Sequence, residues 1–148
     1  MNPGGIRANV PAGELTYGHL YRAQPFNNDL VLMELSGAQI ELLLEQQWEG
    51  QPFPRILKTS GISYTWDRSA PVGDRVSLAG IRIGDQPLSP TASYAVVVNS
   101  FLAEGGDNFT VLREGANRTV GPVDLDAFIK YVTGLPQPIA ARVEGRIP

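Results

Sequence analysis

Cysteine is absent from this 148-residue chain, which removes disulfides, thiolate metal ligands and cysteine nucleophiles together. Histidine is nearly absent as well. His19 stands alone beside Tyr17 and Leu20, no carboxylates cluster at metal-ligand spacing, and we read it as an ordinary surface or half-buried side chain. Ser36, Ser60 and Ser100 lack a G-x-S-x-G elbow and the single histidine lacks an evident orienting acid, so a nucleophilic triad is excluded. No apolar run reaches bilayer-spanning length, and Met1 is followed by Asn-Pro-Gly-Gly rather than by a signal-peptide pattern. A surplus of basic charge is missing too. The formal net charge is -3 and the basic residues are scattered, which excludes the electrostatic footprint of a nucleic-acid binder. Lysine is confined to Lys58 and Lys130, a bias towards arginine that we attribute to coding composition. We read the two glycosylation-type triplets, at Asn108 and Asn117, as coincidental.

What remains is the composition of an ordinary globular protein, 43% apolar and 18% charged, on a chain long enough for one domain with a full core. Thr16 to Tyr21 reads as a short helical turn and Leu30 to Leu35 as a strand. Ile40, Leu43, Leu44 and Trp48 recur at helical spacing over Gly37 to Trp48, with Ser36 as the N-cap and Gly50 and Pro52 as terminators. Turn chemistry at Pro71 to Asp74, Gly84-Asp85 and Ser89-Pro90 separates strand candidates at Ser60 to Trp66, Arg75 to Ile83 and Tyr94 to Asn99. Phe109 to Arg113 reads as a short helix, and Asp124 to Val132 as a longer one ending before Gly134 and Pro136. Trp48 and Trp66 read as packing residues. Helices and strands mix without strict βαβα alternation, which predicts an α+β fold: one domain over residues 1–148, with a mixed or antiparallel sheet and flanking helices.

Two glycine-flanked segments carry the chemistry. Asn2-Pro3-Gly4-Gly5-Ile6-Arg7 sets backbone N–H groups and a guanidinium where a loop can present both to one anion. Phe101 leads into Gly105-Gly106-Asp107-Asn108, offering a flat aromatic face and a carboxylate that accepts hydroxyl protons. Pro25-Phe26-Asn27-Asn28 adds a second aromatic and two amides able to read base or sugar edges. Each segment taken alone has a plainer reading: a surface arginine, two core phenylalanines, and Asp107 as a helix cap. In combination they describe a nucleotide site without any catalytic group.

The order of these stretches resembles the C-terminal domain of the 5′-nucleotidase family. The matching pieces are NPGGIR, the Gly13 to Tyr17 segment, PFNN, LVLMELSGAQI, SGISYTWD, the PVGDRV turn, SYAVVVNSFLAEGGDNF and the VEGRI tail at Val143 to Ile147. The resemblance implies that Phe26 and Phe101 clamp the base, Asp107 accepts ribose hydroxyls, and Arg7 contacts phosphate. Asn2 would lie at the substrate edge, Asn28 would supply an amide, and Gly4, Gly5, Gly105 and Gly106 would support the loops. It further implies that the metal ions, two divalent cations, belong to an N-terminal metallophosphatase domain of the same protein. On this reading no cofactor is bound by the 148 residues themselves. The parent protein would be an exported bacterial phosphohydrolase acting on nucleotides, with no membrane or nucleic-acid partner, and this piece alone would be inactive. A stand-alone nucleotide-binding module and a degenerate structural domain are the alternatives.

Two departures from the family pattern carry expectations. No substrate arginine stands upstream of the Gly-Gly-Ile-Arg motif, and Asn108 replaces a common glycine. With so little chain ahead of it, the Asn2 to Arg7 loop is expected to be weakly held, as in a piece cut from something larger.

Overall fold

The computed structural model describes residues 1–140; the Val143 to Ile147 match lies outside them. The first helix, α1 (Tyr17–Ala23), is followed by strand β1 (Asp29–Ser36) and helix α2 (Gly37–Glu45). Three two-residue strands come next: β2 (Ile62–Ser63), β3 (Arg82–Ile83) and β4 (Gln86–Pro87). Strand β5 (Ser93–Asn99), the single-turn helix α3 (Ser100–Ala103), strand β6 (Ala116–Val123) and helix α4 (Asp124–Gly134) complete the order.

β1 is the centre of an antiparallel sheet ordered β5-β1-β6. Its side chains alternate, with Val31, Met33 and Leu35 buried while Leu32 and Glu34 face solvent, as the two-residue period of a half-buried strand requires. β2, β3 and β4 form a second, small sheet. The core is filled by α2, α3 and the segment after it, whose Leu44, Leu102, Phe109 and Leu112 are almost completely buried. The α+β class is therefore that expected.

α2 begins where predicted. The Ser36 hydroxyl accepts from the Gln39 N–H at 3.2 Å and the Gln39 side chain accepts from the Ser36 N–H at 2.9 Å, a reciprocal cap. Its regular part stops at Glu45, three residues short of Trp48, and passes into turns up to Gly50. The cause is a buried polar knot. The Gln47 side chain, fully buried, accepts from the Leu57 N–H at 2.8 Å and the Tyr64 hydroxyl at 3.0 Å, and donates to the Leu44 carbonyl at 2.9 Å. The Glu45 carboxylate, also buried, accepts from the N–H groups of Gly73 and Val76. Trp48 and Trp66 pack together with ring centroids 4.8 Å apart.

Several expected elements are shortened or replaced. Ser60 to Trp66 keeps only two strand residues, since the left-handed Gly61 kinks it. Arg75 to Ile83 is interrupted by a 3-10 turn at Leu78–Gly80. There Gly80 lies so close to Thr65 that a Cβ would sit 2.6 Å from its hydroxyl. The short helix read over Phe109 to Arg113 is present, as the 3-10 helix Thr110–Glu114. β6 has no clear sequence signal: Asn117, Gly121 and Pro122 are poor strand formers, tolerated because β6 is an exposed edge strand.

The loop at the start is better held than expected. Arg7 N–H donates to the Ala23 carbonyl at 2.9 Å, Met1 and Lys58 exchange two backbone hydrogen bonds of 2.8 Å, and Asn2 is buried. A 3-10 turn at Pro3–Gly5 closes on the Asn2 carbonyl. The short length of chain ahead of the motif is a poor guide, because the support comes from distant residues.

Candidate functional site

One end of the main sheet gathers the candidate residues. Leu30 near the start of β1 pairs with Asn99 at the end of β5, and Asp29 pairs with Val123 at the end of β6. The segment entering β1 carries Phe26 and Asn28, while Ser100 and Phe101 leave β5, so the register sets these loops side by side. The Ser100 hydroxyl donates to the Asn28 side-chain oxygen at 3.4 Å, tying them directly. Asn27, between Phe26 and Asn28, holds a left-handed backbone with φ 52°, which asparagine tolerates better than most residues.

Both phenylalanines are conspicuously outside the core: Phe26 is 53% and Phe101 46% exposed. The plainer reading of core aromatics fails for both, and Phe109 fills that role instead. Phe101 lies across Gly106, where a Cβ would fall 2.5 Å from the ring. Gly106 is thus the platform that lets the ring lie flat. Gly105 has φ 76° and is crowded by Arg113, so it meets both reasons for glycine, conformation and space.

Asp107 is no helix cap. It too has positive φ, 54°, and its carboxylate is gripped from two sides. The Asn2 amide donates to Oδ2 at 2.7 Å, and the Arg55 guanidinium lies 3.6 Å from Oδ1. Gln51 donates to the Asp107 carbonyl at 2.6 Å and accepts from Arg55 at 2.9 Å. Asn2 also accepts from the Asn99 amide at 3.4 Å, and Asn99 in turn caps α3 by accepting from Leu102 N–H at 2.8 Å. Asn2 therefore joins the two glycine-flanked segments from underneath. Asn108 has φ 62° and donates to the Gly50 carbonyl at 2.9 Å, a conformation compatible with its replacing glycine.

Arg7 is exposed, with its guanidinium carbon 5.9 Å from the Phe26 ring centroid. Such a contact at an exposed site contributes about 0.5–1 kcal/mol, small enough for the side chain to turn towards an anion. Gly4 is exposed and Gly5 buried; a Cβ on Gly5 would lie 2.9 Å from the Asn2 side chain. Arg55, Gln51 and Asn99 escape a sequence reading. Arg55 and Gln51 follow a helix end without any motif, and only Asn99, just before Ser-Phe-Leu, carries a cap signal.

Asp124 closes the far side, its N–H donating to the Asn28 carbonyl at 2.8 Å. Burial raises its pKa, with Asp29 adding to the effect, against opposing hydrogen bonds from Leu125 and Asn28. A carboxyl whose pKa is raised by folding binds its proton more tightly in the native state, so its contribution to stability falls as pH climbs past the ordinary aspartate value near 3.9. Asp124→Asn is accordingly expected to gain on wild type between pH 4 and pH 7 in thermal melts. A constant difference across that range would refute the assignment.

Among the described residues no group of three or more histidine, cysteine, aspartate or glutamate side chains could hold a metal ion. No described helix is long and apolar enough to cross a membrane.

Residues 1–114 match the family model described as "5′-nucleotidase, C-terminal domain". The chain belongs to that family. An endonuclease YhcR from Bacillus subtilis (strain 168) is 35% identical over 99% of this chain, but only 12% of its own length is covered. An apyrase from Tabanus yao is 36% identical over 99% of the chain and 28% of its length. The crystal structure of a 5′-nucleotidase precursor from Thermus thermophilus superposes with a TM-score of 0.83 at 42% identity, over 99% of this chain and 30% of that one. The chain thus spans less than a third of each of these proteins, among which are a nucleotidase and an apyrase.

Proposed function

We propose that this chain is the substrate-binding part of a phosphohydrolase that removes phosphate from nucleotides. The observation that carries the reading is the pair of exposed phenylalanines on adjoining loops, above an aspartate whose carboxylate is fixed from below. In this reading the base is sandwiched between Phe26 and Phe101, and Asp107 accepts from ribose hydroxyls. Arg7 swings from Phe26 to the phosphate, and Asn28 offers its amide at the base edge. Asn2 acts at the substrate edge by aiming Asp107. Gly4, Gly5, Gly105 and Gly106 keep the loops low enough for a ligand to approach.

In this reading the two divalent cations that would activate the attacking water are held by a metallophosphatase domain of a longer polypeptide. Binding here then supplies alignment, which is a large part of what such a reaction needs. The Thermus thermophilus relative is a precursor, which supports an exported parent protein.

Calorimetric titration of AMP into the 148-residue chain tests this. Saturable binding is expected, weakened in Asp107→Ala by about 10- to 150-fold, the loss of hydrogen bonds to a charged group worth about 1.5–3 kcal/mol. Phosphate release from AMP by the chain alone is expected to stay at background. Absence of binding by the wild type, or turnover at enzyme-like rates, would sink the proposal.

A further inference from the structure

Asp107 is held by groups that leave one of its carboxylate oxygens open. Oδ2 accepts from the Asn2 amide at 2.7 Å. Oδ1 faces the Arg55 guanidinium at 3.6 Å, close enough for charge attraction but longer than a hydrogen bond. Among the described residues no hydrogen bond ends on Oδ1. A single bond at Oδ2 would leave the carboxylate free to turn about its last torsion, which is broad for aspartate. The pull of Arg55 on the other oxygen fixes the direction of the open lone pair without occupying it.

Arg55 can do this because it is itself latched. Its backbone N–H donates to the Gln47 carbonyl at 2.8 Å, and its Nη1 donates to the Gln51 side-chain oxygen at 2.9 Å. The guanidinium carbon lies 5.0 Å from the centroid of the Phe53 ring, within cation–π range. That ring is 60% exposed, so it serves as a plate for the guanidinium and not as core. Phe53 stands between Pro52 and Pro54, which restrict the backbone on both sides and keep the plate in place. Gln51 closes the circuit by donating to the Asp107 carbonyl at 2.6 Å. Among the described residues no second carboxylate pairs with Arg55, so its charge is directed at Asp107 alone.

We propose that Arg55, backed by Phe53 and Gln51, is a positioning residue that sets how strongly the pocket prefers ribose to the same sugar without its hydroxyls. It does so by keeping Oδ1 of Asp107 aimed at the ligand. The inference rests on the nucleotide-binding reading and narrows it to ribonucleotides. A sugar hydroxyl donates to the open oxygen, whereas a sugar lacking it leaves a carboxylate desolvated and unpaired. Sites built to hydrogen-bond a hydroxyl reject such analogues for that reason.

Titration of the 148-residue chain with AMP and with 2′,3′-dideoxy-AMP, followed by NMR, gives the affinity ratio that reports on Asp107. Arg55→Met keeps a long side chain over Phe53 and removes the charge. Its AMP affinity is expected to fall at least about threefold, while its dideoxy-AMP affinity stays within about 1.5-fold, so the ratio shrinks. Phe53→Ala, at an exposed position, is expected to shrink the ratio in the same direction. Arg55→Lys should not restore it, because an ammonium neither lies flat on a ring nor presents a fork. In an Asp107→Asn background, Arg55→Met should leave the ratio where it was. If AMP still binds and both analogues weaken equally in Arg55→Met, or the ratio is unchanged in both Arg55→Met and Phe53→Ala, this inference alone is overturned. A wild type that binds neither nucleotide would overturn the nucleotide-binding reading, and this inference with it.

Discussion

Phe101→Ala is expected to weaken AMP binding by about 5- to 150-fold, the equivalent of the roughly 1–3 kcal/mol that stacking a base on an aromatic ring contributes. The sharper experiment leaves the ring in place. Gly106→Ala puts a methyl group 2.5 Å from the Phe101 ring, a distance that heavy atoms do not accept. The ring is half exposed and free to turn away, so relief comes from the side chain and not from the backbone. Affinity should fall about as far as in Phe101→Ala, while Tm stays within a degree or two of wild type. Combining the two substitutions should cost little more than either alone, since both act on one ring. Fully additive losses in calorimetric titrations would show that Gly106 serves the ligand by another route.

The second large effect concerns stability. Gln47→Ala removes the acceptor of the Leu57 N–H and the Tyr64 hydroxyl at once, while the Leu44 carbonyl keeps the backbone N–H of residue 47. Each buried group left unpaired costs about 1–3 kcal/mol; with the cavity included, a loss of about 3–5 kcal/mol is expected. That is a large part of the roughly 5–15 kcal/mol typical of a domain. Tyr64→Phe is the control. Gln47 keeps its bond from Leu57 in that variant, so the expected loss is about 1 kcal/mol. Urea midpoints compare the two, and equal shifts would mean that the knot is not held through Gln47. Because the segment from Gln47 to Leu57 also carries Gln51 and Arg55, the Asp107 grip should loosen along with it.

Which elements the sequence discloses has physical causes. β1, β5, α2 and α4 are legible because each combines an apolar pattern with a boundary signal: Ser36 at the start of α2, Gly134 and Pro136 at the end of α4. The stretch from Ser60 to Ile83 misleads because its apolar residues look like strands. Gly61 breaks the run through its own left-handed backbone, and Gly80 through its close approach to Thr65. The loops around Phe26 and Phe101 are legible as a pair from the family resemblance, whereas the frame that holds them is not. Arg55 and Gln51 lie more than fifty residues from Asp107 in sequence, and nothing local marks either as its partner.

The Asn2 bridge ties ligand binding to folding. Its bonds to Asn99 and Asp107 span 97 and 105 residues of chain, so no local fragment and no half-folded intermediate can assemble the pocket in miniature. A nucleotide that occupies it therefore recognises only the completed fold. At a hundred times its dissociation constant, such a ligand adds about 2.7 kcal/mol to the native state. A thermal-shift screen of nucleotides would then rank substrates by how much each one postpones melting, and so report on specificity without any turnover to follow.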